Sequence, residues 1–230
     1  MREIVLDTET TGLDPLLGHR LVEIGAIELF NHLPTGKIYH TYINPNRDVP
    51  REAEAVHGLS SEFLKDKPRF EKIVAEFLAF IGDSTLVIHN ANFDMGFLNA
   101  ELGFVKKQPI LFDRVIDTLA LAKKRHPMGP NSLDALCKRY GIDSSKRTKH
   151  GALLDSELLA GVYLELIGGR QITLTLPKSD NVRKLQVTNV RGPAVRPNKL
   201  VTSVTADERE AHEKMVASLG ATALWKTGLN

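Results

Sequence analysis

Two acids stand two residues apart in the stretch "IVLDTETTG": Asp7 and Glu9. Side chains of an extended strand alternate faces, so the pair projects from one side of it. The Thr10-Thr11-Gly12 turn that follows places the pair at the strand's end. Like charges held so close raise each other's pKa and oppose folding unless a counter-charge arrives. Two more acids have comparable settings. Asp94, in "VIHNANFD", follows an apolar run and opens a helix; Asp155, in "HGALLDSELL", lies in the first turn of another. With the strands as neighbours, the four acids converge at one end of a sheet, where sites of open α/β sheets form. Two divalent cations would cancel the four negative charges. A set of oxygen ligands without cysteine suits Mg²⁺ or Mn²⁺ rather than structural zinc. Two such ions about 4 Å apart serve in-line displacement at phosphorus, one acidifying the attacking water and the other stabilising the leaving oxygen.

His150 precedes Asp155 by five residues and is followed by Gly151. Five residues turn a helix by about 140° beyond a full circle, so the two do not share a helical face. The histidine belongs on the loop leading into the helix, from which it can act as general base near neutral pH. The basic run "SSKRTKH" just ahead of it favours an anionic substrate. Singly, each of these residues is ordinary: strand ends and helix starts often carry acids. Their joint occurrence in this order is what points to a site.

The elements that must position them are legible from period and punctuation. Strands are expected at residues 3–7, 21–30 and 37–43, separated by "TGLDPLLGH" and "NHLPTG", as an antiparallel meander. "FEKIVAEFLAFIG" puts Phe70, Ile73, Val74, Phe77, Leu78 and Ile81 on one helical face, with Gly82 as the stop. "TLVIHN" reads as a buried strand, "FDMGFLNAELG" as the helix after it, "RVIDT" as a further strand and "LALAKKR" as a helix. "NSLDALCKRYG" is a helix with Asn131 as N-cap and Gly141 at its exit, and a last helix of this part spans about residues 152–167. Antiparallel strands followed by strands alternating with helices predict a mixed α/β sheet flanked by helices. Beyond Gly169 three prolines and many Thr, Ser and Asn residues predict a flexible segment. Order is expected again at "TADEREAHEKMVASLG", with Thr205 and Glu208 as a capping box and Gly220 as the stop. Its stripe of His212, Met215, Val216 and Leu219, together with Trp225, needs another surface to cover it.

The chain of 230 residues is 42% hydrophobic and 25% charged, an ordinary globular composition with room for one sizeable core and an appendage. No apolar run of about 18 residues predicts a membrane span, and acids interrupt the first ten residues, which do not read as a signal peptide. The single cysteine, Cys137, excludes an internal disulfide and a cysteine-rich zinc site. A reducing, cytoplasmic setting is expected. Charge is uneven: residues 171–200 hold six lysines and arginines against Asp180 alone. Such a basic stretch attracts nucleic acid or keeps a linker solvated.

These motifs resemble the DnaQ-like 3′–5′ exonucleases, a superfamily with a ribonuclease-H-like fold. "DTET" supplies Asp7 and Glu9, "HNANFD" supplies Asp94, and "HGALLD" supplies His150 and Asp155. The His-x4-Asp spacing matches the histidine (DEDDh) branch. "EAVHGL", "NSLDALCKRYGID", "SKRTKHGALLD" and "DEREAHEKM" extend the resemblance over nearly the whole chain, toward the proofreading members that serve bacterial replicative polymerases. The resemblance implies that Asp7, Glu9 and Asp155 hold two ions directly, with Asp7 shared, that Asp94 acts through bound water, and that His150 is the general base. It further implies that Glu52 and His57, in "REAEAVHG", contact the terminal nucleotide, and that Thr8, His89, Asn90 and Phe93 cradle its sugar and base. The implied activity is release of nucleoside monophosphates from a single-stranded 3′ end of DNA. The implied organisation is an exonuclease domain at residues 1–170, a basic linker at 171–204 and a polymerase-binding segment at 205–230. "QITLTL", from Gln171 to Leu176, resembles a peptide that binds the sliding clamp.

Overall fold

The computed structural model describes residues 1–145, 147–168 and 204–219. The chain divides into two units, Met1–Thr175 and Leu176–Asn230. The first is built on a five-stranded sheet in the order β3-β2-β1-β4-β5. Its strands are β1 Arg2–Thr10, β2 Leu21–Phe30, β3 Leu33–Tyr42, β4 Thr85–Ile88 and β5 Val115–Asp117. Its helices are α1 Arg51–His57, α2 Ser61–Leu64, α3 Phe70–Ile81, α4 Ala91–Phe104, α5 Thr118–Arg125, α6 Leu133–Tyr140 and α7 Ala152–Leu166. β1–β2 and β2–β3 are antiparallel, β1–β4 and β4–β5 parallel, which is the mixed order expected from the sequence.

β1 takes the centre because Ile4, Val5 and Leu6 are apolar toward both faces; all three are fully buried. A strand covered by helices on both sides needs such an uninterrupted run. Alternation then sorts its side chains. Ile4 and Leu6 pack with Phe70, Val74 and Phe77 of α3 and Met95 and Leu98 of α4. Val5 packs on the other face, with Leu136 and Cys137 of α6 and Leu159 and Val162 of α7. By the same parity Asp7 and Glu9 look toward α7, and Thr8 looks toward α4.

Helix α7 reaches that face by an unusually close approach. Gly25 pairs with Asp7 in the β1–β2 ladder. A Cβ at Gly25 would stand 2.2 Å from both the carbonyl carbon of Ala152 and the amide nitrogen of Leu153. Ser156 Oγ donates to the Gly25 carbonyl at 2.9 Å. The first turn of α7 therefore lies directly on the main chain of β2, and only a residue without a side chain fits beneath it. Gly25→Ala is expected to cost about 1–3 kcal/mol by overpacking, read as a lower denaturant midpoint. An unchanged midpoint would show that α7 has slack to retreat.

The structure departs from the sequence reading at three punctuation points. β1 runs to Thr10 rather than ending at Asp7, because its ladder with β2 continues through Glu9 to Thr10. β3 begins at Leu33, not Lys37, because the turn is confined to Asn31 and His32, both at positive φ (50° and 66°). That is the two-residue hairpin geometry usually given to Asn-Gly; the expected longer loop "NHLPTG" is mostly strand. At α6 the cap is Ser132, whose Oγ accepts from Ala135 N at 3.3 Å. Asn131, the expected cap, instead donates to the His126 and Gly129 carbonyls, each at 3.1 Å. Elsewhere the expected stripe of α3 is buried at Phe70, Ile73, Val74, Phe77 and Ile81, and Leu78 packs against it half-buried.

In the second unit the described residues form α8, Ala206–Ser218, opened by the expected capping box between Thr205 and Glu208. Met215 of the predicted stripe, on α8, and Leu219, its C-cap, are half-exposed, at 51% and 52%. The basic stretch, the 171–176 peptide, Gly220 and Trp225 lie outside the described residues. No helix among the described residues is long and apolar enough to cross a membrane.

Candidate active site

Pairing of β1 with β4 runs only as far as Val5–Val87, whereas pairing with β2 continues to Thr10. The end of β1 thus overhangs β4, beside the start of α4. A cavity of about 510 Å³ lies there. It is lined by Asp7, Thr8, Glu9, His89, Asn90, Phe93, Asp94, His150 and Asp155, so nine of the residues singled out in the sequence meet in one place. Glu52 and His57, on α1, line a neighbouring cavity of about 520 Å³ that shares Glu9 and Phe93 with the first. The chain's expected nucleotide contacts are therefore continuous with its acids.

Each acid is brought in by a different element. Asp7 and Glu9 come from β1 by strand parity. Asp94 sits in the first turn of α4 and accepts from Thr8 Oγ1 at 2.7 Å. Helix α4 can start so abruptly because its cap, Asn90, adopts the left-handed conformation (φ 64°, ψ 52°) and its amide donates to Asp117 Oδ1 at 3.1 Å. Asp155 comes from the first turn of α7 and is 2% exposed. His150 lies on the loop before α7, as expected, with its side chain about half-exposed (47%). Its amide is tied to the Val56 carbonyl of α1 at 3.2 Å.

The electrostatics are those of a site short of positive charge. Burial, then Asp94, Glu9 and Asp155, hold Asp7 well above the ordinary carboxylate range. Burial, then Asp155, Glu23 and Asp94, push Glu9 up to about 8. Burial pushes Asp94 up to about 7 against the opposing hydrogen bond from Thr8. Burial lowers the pKa of His57 and of His89, which favours neutral rings at both. His89 Nδ1 lies 2.9 Å from Thr118 Oγ1, at the carboxyl end of the sheet. Crowded carboxylates of this kind fit hard divalent cations. Glu9, His150 and Asp155 each offer a ligand atom, all within 4.8 Å of one another.

One site residue was not legible in the sequence. Arg147, within the basic run, has only 7% of its side chain exposed. Its Nε and Nη2 donate to Asp155 Oδ1 and Oδ2 at 2.5 and 2.7 Å. Its Nη1 donates to Asp134 of α6, and Nη2 lies 2.8 Å from His150 Nδ1. Burial works against the guanidinium's charge, but the hydrogen bonds to Asp155 and Asp134 outweigh it and raise its pKa. Lysines and arginines in a polar loop usually read as solvated; only the contact with acids on two distant helices distinguishes this one.

Known proteins agree with this architecture. A model of a family described as "Exonuclease" matches residues 4–163. DNA polymerase III subunit epsilon of Rickettsia prowazekii (strain Madrid E) is 51% identical over 220 residues, covering 94% of this chain and 96% of the relative. The Escherichia coli (strain K12) protein of the same name is 42% identical over 236 residues, with 98% and 97% covered. Among solved structures, the nuclease domain of 3′hExo, a DEDDh family member bound to rAMP, superposes with a TM-score of 0.63 at 16% identity, covering 72% of this chain and 91% of that one. Exonuclease X in complex with 5′ overhanging duplex DNA gives 0.57 at 24% identity, covering 72% and 90%. The solved structures establish the ribonuclease-H-like fold, and the relatives carry the assignment further. The chain belongs to the exonuclease family and, within it, to the DNA polymerase III epsilon subunits.

Proposed function

We propose that this chain edits the growing strand during replication, hydrolysing the 3′-terminal phosphodiester of a frayed DNA end and releasing one nucleoside 5′-monophosphate at a time. The observation that carries the reading is the meeting of Asp7, Glu9, Asp94 and Asp155 in one cavity with His150 on its rim. Asp7, Glu9 and Asp155 would hold two divalent cations, Mg²⁺ or Mn²⁺, with Asp94 acting through water. When bound, the ions supply Lewis acidity at the scissile phosphate and make water a better nucleophile. His150 accepts the proton of the attacking water; a P–O bond forms, the bond to the 3′-oxygen breaks, and that oxygen takes a proton from solvent water, to which His150 later returns its own. Glu52 and His57 hold the terminal nucleotide. Thr8, His89, Asn90 and Phe93 shape the pocket for its sugar and base. A mismatched terminus melts at lower cost than a paired one, which gives selectivity before any contact is made.

The same reading assigns the exonuclease to residues 1–170 and a basic linker to 171–204. The clamp peptide falls at 171–176, and residues 205–230 grip the polymerase subunit. The full-length coverage of the epsilon relatives and the half-exposed Met215 and Leu219 at α8 support that division. The chain works in the cytoplasm, where the replicating chromosome is. The test is digestion by the full chain of 3′-labelled single-stranded DNA, paired and mispaired primers, and an RNA oligomer of equal sequence, with Mg²⁺ and with chelator. Mg²⁺-dependent release of DNA monophosphates, faster from the mispaired primer, is expected. Faster digestion of the RNA would overturn the assignment of DNA as substrate.

A further inference from the structure

Among the described residues, Asp155 is the acid of the cluster that an arginine or lysine already pairs with. Arg147 grips both of its oxygens, at 2.5 and 2.7 Å, with two nitrogens of one planar group. This two-pronged geometry is the strongest a side chain can offer a carboxylate. The same guanidinium places Nη2 2.8 Å from His150 Nδ1. A guanidinium has only protons to give, so in this contact Nδ1 accepts; the same nitrogen lies 3.3 Å from Asp155 Oδ2. One side chain therefore occupies a carboxylate expected to bind metal and the lone pair of the expected base.

We infer that Arg147 is an internal latch: it competes with the divalent cation for Asp155 and must leave that carboxylate before the site can load. The inference rests on the reading of Asp155 as a metal ligand. Three observations support it. Arg147 engages both oxygens of Asp155, so any oxygen that a metal ion takes is one the guanidinium already holds. Ion and guanidinium would also repel each other at that distance, so the two occupants exclude one another. The departing charge has somewhere to go, because Asp134, 65% exposed at the solvent side, already holds Nη1. Arg147 also lies between Gly141, which ends α6, and Ala152, which starts α7; the described residues of this segment belong to no helix or strand and include His150. Release of Asp155 would free the lone pair of His150 in the same movement, so that the base is set only when metal is in place. Arg147 is thus a positioning residue for both groups.

Binding of Mn²⁺ to the full chain, measured calorimetrically, tests this, alongside thermal melts in chelator and in saturating Mn²⁺. Arg147→Gln is expected to bind Mn²⁺ about ten- to a hundredfold more tightly than the unaltered chain, the reach of one charge-assisted pair. It should also melt lower in chelator and gain more from metal. Arg147→Lys keeps the charge but loses the two-pronged grip, and should shift affinity in the same direction by less; it carries the test if the glutamine variant fails to fold. A residue that merely braces the loop would lower both melting temperatures and leave affinity unmoved. Equal affinity in the unaltered chain and both variants, with Asp155→Asn weakened, overturns the latch and leaves Asp155 as a ligand. Binding that Asp155→Asn does not weaken overturns both.

Discussion

Asp7→Asn lowers nucleotide release from a single-stranded 3′ end by at least about a thousandfold, with the fold intact. The size follows from position. Asp94, Glu9 and Asp155 all act on Asp7, and in the proposed reading it is the ligand that the two cations share. Asparagine keeps the shape and removes the charge, and electrostatic stabilisation at a dry site is typically worth about 10²–10³ per contact. A shared ligand affects both ions. The same substitution should raise the melting temperature in chelator, because it removes a charge that burial and three neighbouring acids oppose. That pair of results, loss of activity with gain of metal-free stability, separates a site residue from a structural one. His150→Gln is expected to lose about 10²–10⁴ in turnover and to bind nucleotide normally. Retention of a tenth of the activity by Asp7→Asn would remove Asp7 from the site.

The metal-free chain should lose stability as pH rises from 6.5 to 8, and saturating Mg²⁺ should abolish the loss. Glu9 moves from an ordinary value of 4.5 in the unfolded chain to about 8 in the folded one, and Asp94 from 3.8 to about 7. A carboxyl whose folded pKa is raised binds more protons folded than unfolded. The stability this gives is fully present below the unfolded pKa and is lost as pH rises through the folded one. His57 and His89 have the opposite sign, since their folded pKa values lie below the ordinary 6.5. Their contribution grows with pH only up to about 6.5 and is flat above it, which leaves the upper window to the acids. Because the carboxyls share protons, their effects are taken once and not summed. The loss is on the order of a few kcal/mol, or about 5–10 °C in melting temperature for a chain of this size. Glu28, lowered to about 2 chiefly by the Arg2 hydrogen bond, titrates far below this window. Melts at pH 6.5, 7.2 and 8 with chelator and with Mg²⁺ check it; a flat or rising curve in chelator would show that the acids do not crowd one another.

What the sequence made legible was whatever depends on local period. Asp7 and Glu9 share a face because strand side chains alternate, and the α3 stripe is buried because helices repeat every 3.6 residues. The convergence of Asp94, His150 and Asp155 at that strand's end needed only the assumption that strands β1 and β4 are neighbours, and they pair at residues 3–5. What stayed hidden depends on contacts far apart in sequence or on rare backbone states. Arg147 is 8 residues from Asp155 and 13 from Asp134, and neither spacing is periodic. The Asn31–His32 turn uses positive φ without glycine, so the sequence alone gives residues 33–36 to the loop. At α6 two adjacent residues were both good caps, and the structure chose Ser132.

The bare position at Gly25 bears on how variants of this protein should be interpreted. An inventory of its chemistry would count four acids and one imidazole and pass over a residue that contributes no atom beyond the backbone. Yet the separation between Asp155 and its partners on β1 is set by how far one helix can sink onto one strand, and a single added methyl group resets it. A genome carrying alanine there would retain every recognisable motif and still be expected to accumulate copying errors.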